Sequence, residues 1–370
     1  MFETRGVQRV ERNGAARPPV LSVQALRFVA AFSVALFHAQ LALSKQMHET
    51  LAYWFGLGAA GVHIFFCISG FVIMHTSYGA DGRGIPVGRF LLKRFVRIFP
   101  IYWICCMLYV AFHQTWGTGY QLSAAEWVTG LLLLPPDSAG IIGPGWTLSF
   151  ELYFYLCFAL LLWLAPLPAL LILTMFFGAS VAVGFVLPFD EPIETATSPL
   201  ILEFIAGAWL GYFYIRRHNQ SSLLGLILAG LGLILFILAN ALFDHRTAPL
   251  TLIWGLPSVL IVAGVLMFEQ ARPLPQFLQK VSHLGDSSYV LYLIHILCIA
   301  IALRLGLKAL VPLGPIQSVA TAFVLAALVT IIAALIFEHI EKPMLRWLRR
   351  NLVDRYSSGR PGVSPEKSTA

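Results

Sequence analysis

The sequence predicts an all-α, polytopic membrane protein with about ten transmembrane helices and both termini in the cytoplasm. Composition is the first reason: 58% of the 370 residues are hydrophobic and only 12% are charged, whereas soluble domains carry about 25% charged residues. The second reason is a series of apolar runs of the length that crosses a bilayer as a helix. The third is the uneven distribution of lysine and arginine between the loops.

Ten apolar runs are long enough to span a membrane, and Pro, Gly or charged residues close them. A shorter stretch, 127–134, is too short to cross and is predicted to be interfacial or re-entrant. The ten runs cover about 21–43, 54–76, 97–113, 146–165, 168–188, 199–215, 222–243, 250–268, 287–307 and 316–338.

Orientation follows from the basic residues. A cytoplasmic N-terminus puts twenty of the 25 Lys and Arg residues in inside segments and four in outside segments, a strong positive-inside asymmetry. Cytoplasmic termini at both ends require an even number of crossings. We therefore predict a disordered cytoplasmic arm over 1–20, a membrane domain over 21–345, and a basic, largely disordered tail over 346–370.

The same features exclude several functions. The net charge of +7 does not indicate nucleic-acid binding, because the basic residues flank apolar runs as topology determinants do. All five cysteines lie within apolar runs, so no disulfide framework is predicted. No metal site is predicted either, because no paired carboxylates or cysteines accompany the three mid-membrane histidines, His38, His63 and His295.

The first apolar run contains two ionisable side chains, Arg27 and His38. They are eleven residues apart, so at about 100° per residue they share one face of a helix. Ionisable groups within spanning helices are costly and usually face a functional interior. Taken singly, each has an ordinary explanation: Arg27 can snorkel to the surface, and His38 can hydrogen-bond a neighbouring helix. Their shared face favours a functional pair.

The third run begins with Arg94 and Arg97, spaced to share a face at the cytoplasmic end of the helix. They suit a clamp for the phosphates of coenzyme A, because the guanidinium fork matches phosphate oxygens. The alternative is an ordinary positive-inside anchor or a contact with anionic lipid.

The fourth run follows a Pro/Gly break and contains Trp146, Ser149 and Glu151. Glu151 falls near the outer side, where the dipole of the helix N-terminus is one explanation for an acid. It is also predicted at a depth similar to that of His38. A histidine and a carboxylate at one depth can form an oriented general base.

Two further runs carry polar residues of predicted support function. The second contains His63 and Ser69. Close helix packing is the alternative role of Ser69 and the following Gly70. The ninth places Tyr292 and His295 on one helix face near mid-membrane.

Together these motifs resemble the acyltransferase-3 family of integral-membrane acyltransferases along nearly the whole chain. His63 departs from the pattern, because many members carry an acid there. The matching segments are Leu26-Arg27 through His38, Gly61-Val62 and Phe65-Phe66 through Ser69-Gly70-Phe71, Arg94 through Pro100, Trp146 through Glu151, Ser288 through His295, and Glu341 through Pro343.

The resemblance implies transfer of an acyl group, acetyl or succinyl, from cytoplasmic acyl-CoA to a hydroxyl of a cell-surface or lipid-linked saccharide such as exopolysaccharide or lipopolysaccharide. It implies that Arg27 and His38 are essential, with support from Arg94, Arg97, Ser149 and Glu151. The expected location is a bacterial inner membrane. Expected partners are the saccharide acceptor, membrane lipids, and polysaccharide-assembly proteins or a second copy of the chain.

Two other classes stay open on the residues alone. Intramembrane Arg, His and Glu also suit a transporter of polysaccharide intermediates, although no inverted repeat is recognisable. A membrane sensor or scaffold is the third class, and it would not need the shared face of Arg27 and His38.

Overall fold

The computed structural model describes residues 19–47, 56–79, 81–117, 119–217, 220–243, 249–306 and 314–358. Within these ranges every regular element is helical, apart from an isolated bridge between Tyr78 and Gly84. The predicted all-α class is therefore confirmed for this part of the chain. Residues 1–18 and 359–370, which make up most of the predicted arm and much of the predicted tail, lie outside the described residues.

The α-helices of the described ranges are numbered here in chain order. They are α1 (Leu21–Met47), α2 (Gly61–Ser77), α3 (Val87–Thr115), α4 (Ala124–Leu131), α5 (Gly145–Leu160), α6 (Pro166–Val186), α7 (Ile193–Thr197), α8 (Ile201–Arg216), α9 (Ser222–Leu242), α10 (Leu256–Ala271), α11 (Gln276–Ser282), α12 (Ser288–Arg304), α13 (Pro315–Ile336), α14 (Lys342–Leu348) and α15 (Arg355–Ser358). Turns of π-helix occupy Thr251–Gly255, Phe337–Glu341 and Arg349–Asp354.

Among the described residues, eight helical segments are long and apolar enough to cross a membrane, and the protein is a multi-pass membrane protein. The predicted runs at 146–165 and 199–215 coincide with α5 and α8, which have only 16 residues each. A helix of that length is roughly 24 Å long, less than the ~30 Å hydrocarbon core. By length and composition, eight helical segments of the described residues therefore qualify as spans, where the sequence predicts about ten. The eight-residue α4 lies at the stretch predicted to be too short to cross.

Helix α1 is the centre of the bundle, with contacts to α2, α10, α12 and α13. Small side chains make this central position possible, because they let neighbouring helices approach closely without a bulky residue between them. The fully or almost fully buried residues of α1 include Ala30, Ala31, Ala35 and Ala39. Packing on several sides therefore holds this helix, and with it Arg27 and His38, in one position.

Helices α2 and α8 form a second closely packed pair, and two glycines make it possible. A Cβ atom added to Gly70 would overlap the carbonyl oxygen of Phe204. One added to Gly207 would overlap the carbonyl oxygen of Cys67. The predicted packing role of Gly70 is thus supported, and this close contact holds α2 against α8.

The C-terminal part of the chain is helical further than predicted. From α13 the helix continues through two π-helical turns to Ser358, whereas the tail is predicted to start at 346. Burial explains the difference, because Leu345 and Val353 pack with Val96 of α3 in a small apolar cluster. The π-helical turn Phe337–Glu341 ends at the fully buried Glu341, which lies beside Arg97 of α3.

Candidate active site

A cavity opens between α1, α2, α3, α5 and α12. It contains about 830 Å³ of empty space, its open mouth included. Six of the eleven predicted site residues line it. Its polar lining comprises Arg27, Ser69, Arg94, Arg97, Thr147, Glu151, Tyr155, Tyr289 and Tyr292.

Arg27 enters the cavity from α1, where a chain of hydrogen bonds orients it. Its Nη1 donates to Oε1 of Gln24, one turn earlier, at 3.2 Å. Gln24 in turn donates from Nε2 to Oδ1 of Asp286 at 3.0 Å. A guanidinium has five N–H donors, and this arrangement leaves several of them for a ligand.

Arg94 lies in the N-terminal part of α3. Its Nη2 donates to Oγ1 of Thr76 at 3.0 Å. The guanidinium also stands over the rings of Phe90 and Tyr155, at 5.3 and 5.5 Å from their centroids, which is cation–π distance. The side chain is thus held mainly by neutral groups, and its charge has no carboxylate partner among the hydrogen bonds and ion pairs of the described residues.

Arg97, one turn further along α3, is held differently. It forms an ion pair with Glu341, and its guanidinium lies 5.2 Å from the centroid of the Tyr289 ring. Glu341 is fully buried, and its Oε2 makes no hydrogen bond within the described part of the chain. A buried carboxylate needs a cationic partner, so Arg97 has a structural role in addition to lining the cavity.

Glu151 lines the cavity together with the three arginines. Its Oε1 accepts a hydrogen bond from Oγ of Ser69 at 2.9 Å and another from the hydroxyl of Tyr155. The sequence predicts Glu151 as the partner of His38. In the structure its hydrogen bonds go to α2 and to its own helix, because α5 packs beside α2 and α3 at this level.

His38 contacts another histidine instead. Its Nδ1 lies 3.3 Å from Nε2 of His295, and the ring centroids are 4.9 Å apart at an interplanar angle of 60°. His295 is fully buried, and its Nδ1 is 2.7 Å from the carbonyl oxygen of Tyr292. Neither histidine lines the cavity, but the ring of Tyr292, which does, lies 5.9 Å from the ring of His295.

His63 belongs to a separate buried pair. Its Nδ1 is 2.7 Å from Oε1 of Glu203 on α8, and the ring meets that of Trp254 edge-on at 5.5 Å. His63 and Glu203 are only 4% and 2% exposed. Neither residue lines the cavity described above, so the structure does not bring His63 together with His38 and the arginines.

Of the remaining predicted support residues, Tyr292 lines the cavity, whereas Trp146 and Ser149 do not. Ser149 donates from Oγ to the carbonyl oxygen of Leu133 at 2.6 Å and so ties α5 to the preceding segment. Trp146 is 39% exposed and packs edge-on against the rings of Phe66 and Phe150. The hydroxyl of Tyr292 is 3.0 Å from Oγ1 of Thr147, which links α12 to α5.

Several residues of the site were not among the predicted set. Their signals were present, since Glu203 is an acid within an apolar run, and Gln24 precedes Arg27 by one helical turn. Glu341 belongs to the last segment that matches the family, Glu341 through Pro343, but is not a predicted site residue. Sequence reasoning missed Glu203 at the separate His63 pair. At the cavity and its supporting contacts, it missed Gln24, Tyr155, Asp286, Tyr289 and Glu341.

The arrangement can bind an anion through its guanidinium groups and accept or donate a proton through its imidazoles. Three guanidinium groups face the cavity, and Glu151 is the single carboxylate that the described residues contribute to its lining. Glu341 forms an ion pair with Arg97. Imidazoles suitable for proton transfer lie next to the same cavity. The residues that the structure describes contain no group of three or more His, Cys, Asp or Glu side chains able to hold a metal ion.

Fold and site together define a multi-pass helical membrane protein with an arginine-lined cavity and a pair of contacting histidines beside it. The chain belongs to the acyltransferase-3 family, because the acyltransferase domain that defines this family matches residues 20–339. The predicted family is thereby confirmed, and the protein is a membrane acyltransferase.

Curated relatives cover nearly the whole chain. The exopolysaccharide production protein ExoZ of Rhizobium meliloti (strain 1021) is 33% identical over 342 residues, which are 90% of this chain and 100% of ExoZ. Acyltransferase MdmB of Streptomyces mycarofaciens is 25% identical over 89% of this chain and 92% of its own. Nodulation protein 10 of Rhizobium leguminosarum bv. viciae is 26% identical over 89% and 94%. No solved structure gives a significant match.

Proposed function

We propose that this membrane acyltransferase moves an acetyl group from cytoplasmic acetyl-CoA to a hydroxyl group of a cell-surface or lipid-linked saccharide. The observation that carries the proposal is the cavity itself, which three arginines line, together with the His38–His295 pair near its lining residue Tyr292. Coenzyme A brings several phosphates for the arginines, and a sugar hydroxyl needs a base. The name of the relative ExoZ, an exopolysaccharide production protein, supports a saccharide acceptor.

The proposal includes a topology. In a bacterial inner membrane the N-terminal end of α1 lies at the cytoplasmic face, which the positive-inside asymmetry of the loops supports. Arg27 is then near the inside, and His38 lies roughly 16 Å further along the helix axis, toward the outside. If α5 and α8 also cross the membrane, ten crossings keep both termini in the cytoplasm.

The arginines are proposed to bind the donor. Guanidinium groups match phosphate oxygens with two parallel hydrogen bonds, and Arg27, Arg94 and Arg97 approach the cavity from two helices. Arg94 is the strongest candidate, because neutral groups hold it and its charge remains available for an anion. Glu151, with Ser69 and Tyr155 bound to it, is proposed to shape the wall between donor and acceptor.

His38 is proposed to be the general base. Written as a direct transfer, the acceptor oxygen attacks the thioester carbonyl carbon, a C–O bond forms, and the C–S bond breaks. His38 takes the hydroxyl proton and returns it to the sulfur of the departing coenzyme A. Imidazole suits this task near neutral pH. The two other mid-membrane histidines fit it less well, since His63 is engaged with Glu203 and His295 is fully buried.

Deletion of the gene tests the proposal. Ester acetyl signals in the NMR spectra of isolated surface glycans should disappear in the deletion strain and return with the wild-type gene, but not with His38→Gln. Loss of the glycan itself, with normal esters on what remains, would contradict the proposal and favour a transporter of polysaccharide intermediates. Transfer of label from radioactive acetyl-CoA to glycan in membrane vesicles would separate an enzyme from a sensor or scaffold.

A further inference from the structure

We propose that His295 is a positioning residue for the acyl transfer: it accepts a hydrogen bond from Nδ1 of His38, fixes Nε2 as the basic nitrogen of that ring, and stabilises the imidazolium that forms. The inference rests on the proposed function, and it gives His295 the role that the sequence predicts for Glu151. It follows from counting protons along a chain of three hydrogen bonds.

The count starts at the carbonyl oxygen of Tyr292, which can only accept. Because it lies 2.7 Å from Nδ1 of His295, that nitrogen carries the proton of the neutral ring. Nε2 of His295 is then an acceptor, and it faces Nδ1 of His38 at 3.3 Å. The two rings cannot both present lone pairs at this contact, so Nδ1 of His38 is the donor.

A second contact agrees with this assignment. Nδ1 of His38 is also 2.9 Å from the carbonyl oxygen of Val34, one turn earlier on α1, and this oxygen too can only accept. The Nδ1–H group of His38 is therefore shared between two acceptors, one on its own helix and one on α12. In the neutral ring the lone pair then belongs to Nε2, which is the nitrogen that takes a proton during catalysis.

The neighbouring histidine matters most after that proton has moved. Once Nε2 of His38 is protonated, the positive charge spreads over the ring, and the hydrogen bond from Nδ1 to His295 becomes charge-assisted. Such bonds are roughly twice as strong as neutral ones. An oriented base with a third group behind it is a general arrangement of proton-transfer sites. Here the third group is a neutral imidazole whose own orientation Tyr292 fixes.

Burial assigns the two roles. His295 is fully buried, whereas His38 is only partly buried, so His38 is the ring that can reach a substrate. The bond between Tyr292 and Thr147 at 3.0 Å anchors the segment that supports His295. Contacts between α1 and α12 hold the two rings in register. His295 thus acts on the reaction only through His38.

The test measures transfer of label from radioactive acetyl-CoA to alkali-labile esters in membrane vesicles from a deletion strain that expresses each variant. His295→Leu fills the site but removes the acceptor, and should lower the maximum rate roughly ten- to 150-fold. The KM for acetyl-CoA should stay unchanged. His295→Gln offers an amide oxygen to Nδ1 of His38 and should recover a large part of the rate. His113→Gln, a histidine change near Tyr120 on another helix, is the matched control.

A double variant separates positioning from general damage. If His295 acts only through His38, His295→Leu should slow the His38→Gln protein no further, whereas independent structural effects would multiply. Multiplying effects, equal losses in the Leu and Gln variants, or an unchanged rate in His295→Leu would overturn the inference while leaving the proposed function standing. A wild-type protein that transfers no label would overturn both.

Discussion

The arginine part and the histidine part of the site differ in side-chain length, charge and packing. Arg27, Arg94 and Arg97 are long cationic side chains, only partly buried, that surround an open cavity. His38 and His295 are short rings in direct contact, and carbonyl oxygens of their own helices orient both of them. In the proposed function, α1 therefore separates donor binding from proton transfer along its length.

Physical chemistry explains why the two parts differ. Phosphate recognition tolerates some mobility, because several guanidinium forks can share several oxygens. Proton transfer requires one nitrogen at hydrogen-bond distance from one hydroxyl, so the ring must be locked by a second layer of contacts. Variants in the two parts should therefore fail in different measurements, and the sharpest tests compare them directly.

The largest effect is expected at the histidine part. His38→Gln keeps much of the side-chain volume but has no basic nitrogen, so O-acylation should fall by about 10²–10⁴. Binding of coenzyme A, measured by isothermal titration in detergent, should stay close to wild type because the arginines provide it. Near wild-type transfer by this variant in vesicles would make His38 a structural residue.

Next come the arginines, where binding rather than the chemical step should suffer. Arg94→Ala should weaken binding of coenzyme A roughly ten- to 150-fold, the cost of a lost charge-assisted hydrogen bond. The measurement is again isothermal titration, with the thermal midpoint as a check on folding. Unchanged affinity in a well-folded variant would return Arg94 to the role of a topology anchor.

Arg97 needs a different design from Arg94, since its removal leaves Glu341 buried without a cation. Arg97→Ala should therefore lower both affinity and stability. Adding Glu341→Gln neutralises the abandoned carboxylate and should recover stability while affinity stays low. If the double variant also recovers affinity, Arg97 contributes to folding and not to the donor site.

A smaller effect, confined to stability, is expected at the second histidine pair. Glu203→Ala leaves the buried His63 without its 2.7 Å partner, which costs about 1–3 kcal/mol. The thermal midpoint in detergent should fall by several degrees, while the transfer rate per folded molecule at low temperature stays near wild type. A selective loss of rate at full stability would show that His63 belongs with the catalytic histidines.

The last prediction concerns topology and changes no activity. Reporter fusions after Lys45 and in the 190–197 loop should report the outside, whereas fusions after Arg83 and at the C-terminus should report the cytoplasm. This outcome supports ten crossings, with α5 and α8 included. A C-terminus found outside would contradict the even number of crossings and the cytoplasmic position of both termini.

Much of the site was recognisable from isolated polar residues in apolar surroundings. Arg27, Arg94, Arg97 and Glu151 all line the cavity, as an intramembrane ionisable residue is expected to do. Glu203 is also an ionisable residue within an apolar run, at 199–215, but it is not among the predicted site residues. The number of spanning helices was less accessible, because α5 and α8 end after 16 residues although their apolar runs continue to the length of a span or close to it.

The sequence by itself determined the helical membrane class, the family, and the residues that carry charge into the bundle. Hydropathy and helical periodicity are local properties, so they show which residues share one helix face. Only the tertiary structure decided which side chains are in contact. His38 contacts His295, 257 positions away in the sequence, and His63 contacts Glu203, 140 positions away. Such pairings depend on how far each helix is offset and tilted against its neighbours, and packing of the whole bundle sets these quantities.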